Sequence, residues 1–333
     1  MNKQIENNRF KESPAIVFLS KYFLLITLAA LIIIFSLTIP NYLSQKNVFT
    51  ILKTTGFVAL LSFGVMIIMR IGEMTFSIGA QATLAATIAG KILSMQLIEN
   101  YYISALVGIA LSTLLIMLCA YFIIEWNIPS FISTLSASIV MDALVIWLSD
   151  NKQMYDKNWP EEFLIFKTAS VFNIPLMIIV AFAILIIFWV INSKTRFGRY
   201  VFCVGANPIA AAQAGINVRK IKYLAFLISG FVAGAAGILQ ASNQGQIAHA
   251  MGGDYLMTAI CSATLSAAFL KPGDYNVPGV IVSSLTLVLI RNAVSNMGAK
   301  SYINDIITAA ILLIGVGIIA VVRKESLVKV SFN

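Results

Sequence analysis

The side chains able to do chemistry in this sequence are few, and their spacing excludes most reactions. The single histidine, His249, rules out a site built from several imidazoles. Cys119, Cys203 and Cys261 share no close spacing, so neither a metal knuckle nor a disulfide framework is expected. The one Gly-Lys pair, Gly90-Lys91, precedes Ile92 and not Ser or Thr, and no Gly-x4-Gly-Lys-Ser/Thr run occurs. The chain is therefore not expected to hydrolyse ATP by phosphate-loop chemistry. Paired catalytic carboxylates and a nucleophile elbow are missing too, so no enzyme, no metal site and no cofactor of its own is expected.

What remains is charge in apolar surroundings. An ionisable side chain inside a bilayer costs about 2.5–3.5 kcal/mol on insertion scales, so it needs a partner or a job. Asp142 and Arg291 stand at similar depth in two apolar segments and are read as a mutual ion pair. Arg70 and Glu73 flank Gly72 and suggest a local pair at the end of a segment, Glu125 reads as interfacial, and His249 as a solvated loop residue. If Asp142 instead coupled an ion gradient, the chain would be a secondary active transporter, the alternative class.

A third feature is a basic stretch, from Lys194 to Lys222, with Arg196, Arg199, Arg219 and Lys220 and no acid. Within it, Asn207-Pro208 is a helix start, with Asn as cap and Pro at the first turn. The alanine-rich run 209–214 forms helix readily and Gly215 is a suitable stop. One short helix is predicted, read either as an ordinary amphipathic connector or as a helix whose small side chains let it dock closely in a groove of another protein.

The elements that hold these residues are membrane spans. The 333 residues are 59% hydrophobic and 11% charged, with mean hydropathy +0.89, against about 25% charge in soluble domains. A spanning helix needs roughly 20 apolar residues. Apolar segments occur at 15–38, 50–69, 75–97, 101–124, 128–149, 174–193, 222–242, 255–270, 277–296 and 302–322. The fold class is thus an all-α polytopic membrane protein of about ten helices, with an uncleaved first helix. The excess of 23 basic over 14 acidic residues, net +9, fits basic loops held in the cytoplasm, with no nucleic acid implied. The N-terminal tail 1–14, the loop 194–222 and the C-terminal tail 323–333 are assigned inside. The loop 150–173, with Asp150, Asp156, Glu161 and Glu162, is assigned outside. A faint repeat links Gly56-Phe57-Val58 to Gly230-Phe231-Val232, each followed by a small-residue segment, 77–90 and 252–268. Five helices separate the copies, which would make a 5+5 inverted repeat.

The basic loop then shows a resemblance. Thr195-Arg196-Phe197-Gly198-Arg199, the pattern Gly205-x-Asn207-x-x-Ala210-Ala211-x-x-x-Gly215-Ile216, then Ser229-Gly230-Phe231 and Ala233-Gly234-x-x-Gly237-Ile238 resemble the ribose/monosaccharide-type permeases of bacterial ABC importers. Weaker matches are Phe76-Ser77-Ile78-Gly79, Phe131-Ile132-x-Thr134-Leu135, and Gly253-x-Tyr255 with Ala259-Ile260, so the likeness runs from about 57 to 322. It implies an importer permease fold in the bacterial plasma (inner) membrane with both termini cytoplasmic. It also implies cytoplasmic ATP-binding subunits that hold the ATP, a second permease copy or paralogue, and an extracytoplasmic solute-binding protein. The solute would be small, a sugar or sugar-like compound. By resemblance the short helix is the coupling helix to the ATPase, with Gly205, Asn207, Ala210, Ala211 and Gly215 in that role.

Departures cluster at charged positions. Thr75 replaces an acid of the family pattern, Tyr255-Leu256-Met257-Thr258 replaces Tyr-Glu-Leu-Asp, and Asp142-Ala143 stands where the family has Arg-Gly. The Gly-rich family loop becomes Ala267-Ala268-Phe269-Leu270-Lys271-Pro272-Gly273-Asp274. Thr75, Ser77, Tyr255 and Thr258 are candidate pathway-lining residues.

Overall fold

The computed structural model describes residues 14–310 apart from 99, 156–158, 271–272, 299–301, 304–305 and 308. The tails at 1–13 and 323–333, Asp156 and most of the predicted span 302–322 lie outside the described residues. Twelve helices are defined among the described residues: α1 Pro14–Thr38, α2 Gln45–Arg70, α3 Ile78–Ser94, α4 Tyr101–Glu125, α5 Ser130–Ser149, α6 Ile165–Thr168, α7 Leu176–Lys194, α8 Arg196–Ala206, α9 Pro208–Gln213, α10 Val218–Gln244, α11 Leu256–Leu265 and α12 Val277–Asn296. One hairpin, β1 Ser170–Val171 with β2 Ile174–Pro175, departs from the all-helical reading. Its turn places Phe172 and Asn173 at positive φ, as a two-residue hairpin turn demands.

Six of the described helices, α2, α4, α5, α7, α10 and α12, are long and apolar enough to cross a bilayer. The predicted spans 75–97 and 255–270 are shorter helices here. α3 has 17 residues and follows an irregular stretch at 71–77. α11 has 10, with a 3-10 turn at either end. Gly, Ser and Thr dilute both segments, which is why an apolar count alone overextends them.

α2 is the axis of the core, with Phe57, Leu60, Leu61, Met66 and Ile68 wholly buried. α3 packs between α4 and α10. Small residues permit that approach, as membrane helices gain from packing where apolar burial offers little: a Cβ on Gly237 of α10 would lie 1.9 Å from the Ala82 carbonyl oxygen of α3. Ser229 of α10 donates to the Gly64 carbonyl of α2 at 2.9 Å.

Candidate functional site

The basic stretch folds into two helices, not one. α8 is amphipathic, burying Gly198, Val201 and Val204 at helical spacing. α9 follows at once. The Asn207 carboxamide oxygen accepts from the Ala210 N–H at 3.0 Å and Pro208 fills the first turn. At its exit the Gly215 N–H donates to the Ala212 carbonyl and the Ile216 N–H to the Ala211 carbonyl, both at 3.0 Å. That double closure needs a left-handed residue, and Gly215 has φ +81°. Local sequence alone thus sets both ends of α9.

Its faces are another matter. Ala211 is 4% exposed and packs inward, whereas Ile209 is 72% exposed. Ala210 is also exposed. Of the five residues assigned to a docking face, Ala211 and Gly205 are therefore committed inside the chain. Gly205 lies in α8, not in the short helix, and a Cβ there would fall 1.9 Å from the Arg70 carbonyl oxygen. Ile209 is the outward apolar residue that the sequence reading missed. One apolar residue beside alanines gives no periodicity to find it by.

At the end of the domain that carries α8 and α9, ion pairs tie distant segments together. Arg70 pairs with Asp274 at 3.2 Å, donates to the Asn192 carboxamide oxygen at 2.7 Å and lies 5.8 Å from the Phe202 ring centroid. Glu73 pairs with Lys222, and Glu125 with Arg219 at 3.1 Å while accepting from the Tyr223 hydroxyl. The predicted Arg70–Glu73 pair is corrected: each finds a partner across the fold. After Arg70 the Gly72 turn, φ +83°, reverses the chain, so the two side chains leave α2 on different paths.

The candidate pathway residues sit where helices are interrupted. Thr75 and Ser77 are buried and share a hydrogen bond of 3.2 Å between their hydroxyls. The irregular backbone at 71–77 is held by α5, whose Ser130 and Thr134 hydroxyls accept from the Met74 and Phe76 N–H groups at 3.0 and 3.2 Å. Irregular backbone at membrane depth survives only when protein groups satisfy it in this way. The start of α11 is braced similarly: the Gly252 N–H donates to the Thr83 hydroxyl at 2.9 Å. Gly252 and Gly79 meet so closely that a Cβ on either would strike the other's backbone. Two interrupted helices therefore start against each other.

Arg291 belongs to this junction. It donates to the Asp254 carbonyl at 3.1 Å and to the Thr258 hydroxyl at 3.5 Å, with its guanidinium 4.5 Å from the Tyr255 ring centroid. Tyr255 in turn meets Phe57 edge to face at 5.4 Å. The structure so gathers Tyr255, Thr258 and Arg291, but it does not bring Arg291 to Asp142. Asp142 stands on the exposed side of α5 and enters none of the ion pairs among the described residues. The Arg291 charge is met instead by a carbonyl and a hydroxyl, which accept from one terminal nitrogen, and by an aromatic face. His249 is exposed, as expected.

The family described as "Branched-chain amino acid transport system / permease component" matches residues 47–316, most of the chain. The chain belongs to that family. Its relatives bear out the ribose-type resemblance. It is similar to the ribose import permease protein of Haemophilus influenzae, 26% identical over 87% of this chain and 90% of that one. The D-allose transport system permease protein of Escherichia coli is 23% identical over 92% and 94%. The autoinducer 2 import system permease protein of Photorhabdus luminescens is 29% identical over 94% and 90%. Among solved structures, a chain described as a metal-chelate type ABC transporter in an inward-facing conformation aligns at TM-score 0.56, covering 90% of this chain and 97% of that one. At 14% identity that likeness shows the fold alone. The permease is thus a multi-pass membrane transport component with a helical ABC-permease fold, and nothing among its relatives favours the ion-coupled alternative built on Asp142.

Proposed function

We propose that this permease is one transmembrane subunit of an ATP-driven importer of a small sugar or sugar-like solute. It would work with two cytoplasmic ATP-binding subunits, a second permease copy or paralogue and an extracytoplasmic binding protein, in a bacterial plasma membrane. The solute class follows the relatives named for ribose, allose and autoinducer 2. Ten crossings with both termini and the 194–222 loop inside satisfy the positive-inside rule. The mutual start of α3 and α11 at Gly79 and Gly252 favours the inverted-repeat reading, a design in which interrupted helices meet near the pathway.

The observation that carries the proposal is α9: capped at both ends, backed by buried Ala211, and presenting exposed Ile209 beside a basic surface. A helix so fixed transmits a push from an ATPase and does not absorb it. The close contact of Gly205 with Arg70 and the Arg70–Asp274 and Glu73–Lys222 pairs would pass that push to α2, α10 and the segment before α12. Asp142 supports the second permease copy. A carboxyl facing lipid costs about 2.5–3.5 kcal/mol, so we place this side of α5, the least buried of the six spans, toward the other permease or the pathway.

The test is Ile209→Asp. ATP hydrolysis that co-purifies with the tagged permease from its native cells should fall at least tenfold, with the amount in the membrane unchanged. Ala211→Trp should instead reduce the folded amount, because Ala211 is buried. Undiminished ATPase recovery with Ile209→Asp would overturn the coupling assignment.

A further inference from the structure

The end of the domain that carries α8 and α9 has a second feature, apart from the exposed Ile209 of α9. A groove of about 300 Å³ lies between α8 and the start of α10, floored by Phe197, Ile216 and Leu224 and rimmed by Tyr200, Asn217 and Lys220. Lys220 lines it, and Arg196 and Arg199 adjoin the lining residues Phe197 and Tyr200 along α8, just after Lys194; the ion pairs of the described residues engage none of these four. All four are exposed. The start of α10 also points its positive dipole end here, with only the Lys220 N–H satisfied by the Asn217 side chain.

What distinguishes the groove from a generic basic patch is its continuation. Lys220, Leu224, Leu227 and Phe231 fall at i, i+4, i+7 and i+11, one face of α10. Leu227 and Phe231 are 42% and 44% exposed, on a helix most of whose residues are buried. From Lys220 to Phe231 the lane runs about 16 Å along the helix, the length of most of an acyl chain. A cationic mouth leading into an apolar lane of that length is complementary to an anion with a long hydrocarbon tail.

We propose that this groove binds an anionic phospholipid, its phosphate held by Lys220, Arg199 and the α10 start and one acyl chain lying along Leu224, Leu227 and Phe231. A free phosphate would leave the lane bare, and a protein partner would not need it to continue toward the middle of the span. Basic side chains near an anionic headgroup contribute electrostatic affinity that salt weakens. Occupancy would hold α8 against α10, the joint through which α9 is attached. The assignment does not depend on how the chain is energised.

The experiment is native mass spectrometry of the purified chain in detergent, titrated separately with phosphatidylglycerol and phosphatidylcholine of the same acyl chains. Phosphatidylglycerol should bind at least tenfold more tightly. Lys220→Gln with Arg199→Gln should erase about thirtyfold of its affinity, taking roughly one and a half decades for two basic groups near a headgroup. Lys220→Arg should keep the binding, and Lys152→Gln, in the loop beyond α5, should leave it intact. Millimolar inorganic phosphate should not displace the lipid. Equal affinity for the two lipids, unchanged binding in the double variant, or full displacement by phosphate would each overturn the proposal. A double variant that keeps its lipid but loses its ATPase would show that the patch serves a protein, and would overturn it as well.

Discussion

Replacing Arg70 tests whether the cross-fold ion pairs stabilise the end of the domain next to α8. The Arg70 and Asp274 side chains are 11% and 24% exposed, and the guanidinium also serves Asn192 at 2.7 Å. Breaking a fully buried pair by removing one member costs about 3–5 kcal/mol, whereas an exposed pair contributes about 0–1 kcal/mol. Between these limits, Arg70→Met should cost about 2–3 kcal/mol, because it strands Asp274 and Asn192 together. Asp274→Asn keeps the shape and leaves Arg70 its contacts with Asn192 and Phe202, so about 1–2 kcal/mol is expected. The double variant should be no worse than Arg70→Met, a coupling of about 1–2 kcal/mol. Thermal unfolding of the purified protein in detergent reads this directly. At about 2–4 °C per kcal/mol, Arg70→Met should melt about 4–12 °C lower, and Asp274→Asn about 2–8 °C lower. Losses that add within about 0.5 kcal/mol would show that the pair is not a joint unit and refute the reasoning.

The same cycle on Asp142→Asn and Arg291→Gln should give additive effects, since the two side chains do not meet; folded yield restored in the double variant would contradict the structure. Arg291→Gln alone should lower the melting temperature, because the Asp254 carbonyl and the Tyr255 ring lose their cation. Gly237→Ala should sharply reduce folded protein, its Cβ meeting the Ala82 carbonyl, whereas Gly253→Ala, with open space around it, should be near neutral by yield in the membrane. Tyr42, buried in the link between α1 and α2, donates to the Leu289 carbonyl at 2.9 Å, and burial pushes its phenol up to about 12. Folding thus favours the protonated form. This contribution is complete below about pH 10, the unfolded value, and is lost as pH rises toward 12. Tyr42→Phe should flatten that part of the melting curve against pH.

Much of the fold follows from local patterns in the sequence. Spans declare themselves because a bilayer demands long uncharged runs, and α2, α4, α5, α7, α10 and α12 fall where those runs are. The ends of α9 were equally legible, since Asn207, Pro208 and Gly215 act on backbone groups within a few residues of themselves. The truncation of α3 and α11 was not legible, because polar dilution does not say where a helix unwinds. Tertiary structure alone decided the partners of the charges. Asp274 lies 204 residues from Arg70, and only the meeting of the α2, α7 and α12 ends makes them a pair. It also decided that Arg291 serves a carbonyl and a ring rather than Asp142. A six-residue helix is too short for periodicity to mark its buried face, so packing against the membrane domain, not composition, turned Ala211 inward and left Ile209 outside. Local signals fix what the backbone does within a few residues; which distant surfaces come together depends on the packing of the whole chain.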